Sequence, residues 1–87
     1  MLVLVAEMTF EAYVFVQTTN PGPRAACQAL RRVDGAVRPD ALFGGPEVIA
    51  IVGGDDLRSL DAVVDTIVDL PMVIDTETHV VRPIDPA

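Results

Sequence analysis

Apolar and polar positions change period along this chain, and each change marks an element. Ala12-Tyr13-Val14-Phe15-Val16-Gln17-Thr18 is β-branched and aromatic, the composition of a buried strand. Asn20-Pro21-Gly22-Pro23 breaks it and sets Pro23 at the first turn of a helix, where a missing N–H costs nothing. Ala26, Cys27, Leu30 and Val33 recur at helical spacing with Gly35 beyond them, which predicts a helix over residues 23–34. A second strand is predicted from Val37 toward Phe43; its Pro39 cannot donate a ladder hydrogen bond and belongs at an edge or a bulge. Gly44-Gly45-Pro46 is a turn, and Val48-Ile49-Ala50-Ile51-Val52 is the clearest strand. After Gly53-Gly54, Asp55 or Asp56 caps a second helix. Leu57, Leu60, Val63, Val64, Ile67 and Val68 form its apolar stripe, with Arg58, Asp61 and Asp65 facing out. Leu70-Pro71 stops that helix, and alternation from Val73 to about Ile84 predicts a last strand.

The order strand, helix, strand, strand, helix, strand is the ferredoxin-like α+β arrangement, βαββαβ. Two crossovers and one hairpin give a four-stranded antiparallel sheet with both helices on one face. The expected organisation is one domain over residues 12–84, an N-terminal extension over residues 1–11 with room for an added strand, and a tail over residues 85–87. The second sheet face has no cover within this pattern. Two such faces pack about 10 Å apart, so a homodimer of α/β-barrel-like form is expected. Length supports this, because 87 residues, 51% of them hydrophobic, leave more apolar surface than one small core hides.

Charge narrows the partners. Six Arg and no Lys stand against thirteen acids, for a formal charge of −7, which disfavours direct binding to nucleic acid. Arg24, Arg31 and Arg32 are the local basic cluster and read as a solvated helix face. The single Cys27 excludes an internal disulfide and lies in an apolar pattern, as a small buried residue. One His excludes a His-based metal cluster, and Asp55-Asp56 reads as a cap, so neither metal nor cofactor is expected. The apolar run Met1–Ala6 is too short to span a bilayer, which leads to the expectation of a soluble, cytoplasmic protein with no membrane partner. Met8 is an alternative start.

From Ala12 to Val81 the chain resembles the effector-binding domain of the Lrp/AsnC transcriptional regulators, the RAM domain, related in shape to ACT domains. The matching pieces are AYVFVQT, a helix ending in VDG, the turn FGGPEV, the strand VIAIV, DDLRSLDAVV with a following LP, and VIDTETHVV. Their order and spacing carry the resemblance. It implies dimers that associate into rings or octamers and small effectors, usually amino acids, held in clefts between dimers. Full-length members carry a helix-turn-helix ahead of this domain. About ten residues precede the first strand here, which implies a stand-alone version acting with full-length regulators. The implied ligand residues are Gly44, Gly45 and Glu47 in the turn and Thr76 and Thr78 on the last strand. Glycine N–H groups approach a carboxylate closely, and an acid suits an ammonium group. Two departures stand out: Pro46 replaces an aromatic residue, and Glu47 replaces an Asp.

Each of these residues also has a plain reading. Gly44-Gly45 suits a hairpin turn, and Thr76 and Thr78 suit a β-interface. The competing classes are a small dimeric ferredoxin-like enzyme, of monooxygenase or isomerase type, and a purely structural oligomerisation module. An enzyme would need its chemistry from His79, Tyr13 or Cys27, whose spacing does not group them; His79 shares a strand face with Asp75 and Glu77. The expectation is therefore a binding module with no catalytic residues.

Overall fold

In the computed structural model the described residues are 10–19, 22–43 and 45–82. Gly44, the extension through residue 9 with its expected strand, and the tail over residues 85–87 lie outside them. The elements are β1 (Phe10–Thr18), α1 (Pro23–Leu30), β2 (Ala36–Ala41), β3 (Val48–Gly54), α2 (Leu57–Val68) and β4 (Val73–Val80). They form one antiparallel sheet in the order β2-β3-β1-β4, the expected ferredoxin-like topology.

Alternation on the two inner strands sets the core. Ala12, Val14 and Val16 of β1 face the same side as Val48, Ala50 and Val52 of β3, and all six are fully buried. Ala26, Cys27 and Leu30 of α1 and Leu60 and Ile67 of α2 close over them. Both helices therefore lie on one face, and small or β-branched strand residues let them come close. Burial pushes the Cys27 thiol pKa up, against the lowering effect of Arg31 and with a small push from Asp40.

Ends and irregularities have local causes. Pro39 lies on β2, an outer strand, next to a register shift between Ala36 and Arg38. Helix α1 stops at Leu30, short of the expected residue 34, because Arg32 and Val33 turn back onto the Ala29 and Leu30 carbonyls in a tighter three-residue pattern. Gly35 follows at φ 94°, and a Cβ there would sit 2.6 Å from Val63 Cγ2 and 3.2 Å from the Gly53 carbonyl oxygen. Of the two candidate caps for α2, Asp56 is the one used, its Oδ1 accepting from Ser59 N–H at 2.8 Å. That bond holds the Asp56 carboxyl below its ordinary pKa. Strand β4 ends at Val80 rather than near Ile84, which lies outside the described residues. No described helix is long and apolar enough to cross a membrane.

Two substitutions probe this packing. Gly35→Ala adds a methyl group in a left-handed conformation against a stiff valine, and is expected to cost about 1–3 kcal/mol. Ile67→Ala empties a fully buried site and should cost about 2–5 kcal/mol. Urea denaturation checks both, and wild-type midpoints would contradict the packing described.

Candidate functional site

The sheet face away from the helices has an apolar centre and charged sides. Tyr13 and Phe15 of β1 lie beside Ile51 and Ile49 of β3 in register. On β2, Arg38 Nε and Asp40 Oδ2 form an exposed ion pair at 2.9 Å. On β4, His79 Nε2 meets Glu77 Oε2 at 2.8 Å, and the His79 ring stands edge-on to Phe15 with centroids 5.7 Å apart. His79 and Glu77 share a face, as alternation predicts, and Tyr13 is directly opposite His79. Cys27 is in the core on the other side of the sheet.

At one end of the sheet, where the β2–β3 turn meets the end of β1, a single carboxylate organises the backbone. The β1–β3 register runs out at Val16 and Val48. Glu47 N–H still donates to the Val16 carbonyl at 3.2 Å, and the next donor, Thr18 N–H, reaches Glu47 Oε1 at 2.7 Å. The Thr18 hydroxyl donates to the same oxygen at 2.8 Å. A side chain thus extends a strand ladder that the backbone has left. The two bonds, that from the amide first, hold the Glu47 carboxyl below its ordinary pKa, against a smaller raising effect of desolvation. Among the described residues, Oε2 has no hydrogen-bond partner.

Glu47, Gly45, Gln17, Thr18 and Ile74 line an open cleft of about 330 Å³ at this end. Of the expected ligand residues, the structure brings Gly45 and Glu47 together here. Thr76 lines an adjoining hollow of about 40 Å³ with Phe15, Gln17, Pro46, Asp75 and Glu77. Thr78 is elsewhere, in a groove of about 400 Å³ between α2 and β4 with Leu57, Leu60 and Val80. Thr76 and Thr78 share a face, opposite Val16 and Val14 in register, and it is the helix side of the sheet. Gly44 lies outside the described residues.

Gln17, Thr18 and Ile74 are cleft residues that the sequence reading did not single out. Thr18 carried a signal: it continues the core-facing positions 12, 14 and 16 as a polar residue, so its hydroxyl and amide needed a partner.

Comparison with known proteins bears on the fold. No protein-family model and no curated protein matches the sequence. Among solved structures, the Thermus thermophilus protein TTHA0845 superposes with a TM-score of 0.81 at 24% identity, over 91% of this chain and 100% of that one. AsnC of E. coli superposes with a TM-score of 0.78 at 16% identity, over 100% of this chain and 64% of that one. The feast or famine regulatory protein of M. tuberculosis, solved with L-methionine, gives a TM-score of 0.75 at 16% identity, over 92% of this chain and 54% of its own. The chain therefore has the fold of a domain in Lrp/AsnC-type regulators and spans little more than half the length of these two.

The Thr18–Glu47 clamp has a pH signature. A carboxyl whose folded pKa is depressed stabilises the fold above its unfolded value and loses that contribution as pH falls through the folded value. Wild type should melt above Glu47→Gln at pH 7, and the gap should close below the ordinary value of 4.5. Gln isolates this group from Asp56, whose carboxyl is shifted in the same direction. Glu47→Ala should melt lowest, leaving the Thr18 amide and hydroxyl without their acceptor. Thermal melts from pH 7 to 3 check this, and a gap constant with pH would contradict it.

Proposed function

We propose that this chain is an Lrp/AsnC-type effector-binding and oligomerisation domain. Two copies pack open sheet face on open sheet face, and dimers associate further. A small amino acid or related metabolite binds near the Gly45–Glu47 end of the sheet, between dimers, and modulates transcription through partner regulators. The domain binds and assembles; it does not catalyse.

The observation that carries this reading is the open face itself. Tyr13, Phe15, Ile49 and Ile51 make an apolar centre, and the Arg38–Asp40 and His79–Glu77 pairs stand at its two sides with their charges already partnered. That is the anatomy of an interface, an apolar middle inside a polar rim. The cleft supports the effector half of the reading. Glu47 Oε2 is an acceptor for an ammonium group, and the glycine turn brings backbone close. The L-methionine bound by the M. tuberculosis regulator supports an amino acid as the ligand class. A specific observation favours a small ferredoxin-like enzyme as the second reading: His79 and Glu77 form a dyad beside Phe15.

Light scattering at micromolar concentration should give at least twice the 9.3 kDa chain mass. Ile51→Glu, which puts an unpaired charge at the centre of the open face, should give a folded monomer. A monomeric wild type would sink the assembly half of the reading. In a thermal-shift screen at millimolar concentration, at least one common amino acid should raise Tm. The hit should fade in Ile74→Glu, which sets a second anion in the cleft against the ligand carboxylate, and persist in Val37→Glu on β2. With no hit, the purely structural module is the better reading; turnover lost in His79→Ala would favour the enzyme.

A further inference from the structure

The helix layer is electrostatically divided. On α1 and its closing turn, Arg24, Arg31 and Arg32 are exposed, with Asp34 the one acid beside them; on α2 and its cap, Asp61, Asp65 and Asp69 are exposed, with Arg58 the one cation among them. None of the six takes part in an ion pair among the described residues, where the pairs are Arg38–Asp40 and His79–Glu77 on the other side of the sheet. The two helices lie side by side and leave a surface groove of about 530 Å³, lined by Ala29, Arg32, Val33 and Asp34 on one side and Thr66 and Leu70 on the other.

We infer that this layer is a second interface between copies of the chain, in which the basic face of α1 in one copy lies over the acidic face of α2 in the other. Placing α1 on α1, or α2 on α2, sets like charges against each other. A two-fold axis running between and along the helices avoids both and forms the favourable contact twice. The order of charges along the helices agrees with this. Helix α1 follows β1 and α2 follows β3, and β1 and β3 are antiparallel, so the helices run antiparallel too. Arg24 at the start of α1 therefore lies toward the same end as Asp69, and the other two arginines lie toward the end that holds Asp61. The axis preserves those ends, so the arginines of α1 lie toward the aspartates of α2 in the other copy.

The surface is distinct from the open sheet face and does not depend on it. Exposed pairs are individually weak and screened by salt, over a Debye length of about 10 Å at 0.1 M. A sheet-face dimer carries its two helix layers on opposite outer sides, so each dimer can make this contact on both sides. Its salt dependence is diagnostic, because a chain of formal charge −7 repels its copies more strongly as salt is removed. Association that strengthens at low salt needs opposed patches.

Sedimentation velocity at 20 mM and 500 mM NaCl tests this on the intact chain. Wild type should show, at 20 mM, a species of at least about twice the mass seen at 500 mM. Arg31→Glu/Arg32→Glu and Asp61→Arg/Asp65→Arg should each lose the larger species and keep the smaller one, with circular dichroism confirming the fold. An equimolar mixture of the two variants should regain it, since each then offers the other an oppositely charged helix. The fourfold swap within one chain should regain it as well, and serves if either double variant fails to fold. A wild-type mass independent of salt, or folded variants whose mixture stays apart, would overturn the inference. Loss of the smaller species at high salt in wild type would instead count against the sheet-face dimer.

Discussion

A strand has two faces, and two helices placed on the same side of a four-stranded sheet can cover one of them. Strand β1 lies inside the sheet and has to satisfy both environments at alternate residues. Ala12, Val14, Val16 and Thr18 turn to the helices and are buried; Tyr13, Phe15 and Gln17 turn the other way. A slip of one residue against β3 would send the aromatic rings into a space built for valine and leave the valines in water. The pairing of Val14 with Ala50 and of Tyr13 with Ile51 is therefore held by the core, and the composition of the open face is its consequence.

The same parity explains the clamp at the end of the sheet. Thr18 occupies the last core-facing position of β1, where the β3 partner has already turned away. A valine there would have filled the volume and kept the amide bond to Glu47, but without a hydroxyl to donate beside it. Threonine adds a second donor, and Glu47 Oε1 accepts from both. Structural need and candidate chemistry thus meet in one carboxylate, and the cleft beside it exists because the turn must come close enough for that reach.

Most of the architecture was legible in the sequence, because it follows from period. The valine-rich strands, the stripe from Leu57 to Val68, the edge position of Pro39 and the glycine after α1 each carry their own signal. The errors are at element ends: α1 closes earlier than its apolar spacing suggests, since Val33 packs against the core from a turn as well as from a helix. The candidate site was less legible. A shared face is a property of spacing, so Thr76 and Thr78 were rightly put together, but which side of the sheet they face depends on the register with β1. Thr78 lines a groove under α2, while the hollow that Thr76 touches is formed with Phe15, Gln17, Asp75 and Glu77 of the other face, a division that no local pattern encodes.

Glu47, where the resemblance implies an Asp and an ammonium partner, has a second role once Thr18 is in view. The carboxylate leans toward the strand, and Thr18 is 8% exposed, so a ligand that drew Glu47 away would strand a buried hydroxyl and an amide together. Such a ligand would bind against the cost of leaving those two donors without their acceptor. For the proposed ammonium contact this leaves Oε2 as the acceptor, with Oε1 engaged by Thr18. Fixing the carboxylate in this way lowers the ordering cost of any ammonium contact it makes, because the side chain is already held in the folded protein. Glu47 thus lines the cleft with one oxygen engaged by the strand, and under the proposed reading Gln17 and Ile74, which line the same cleft, are the side chains left to discriminate between ligands.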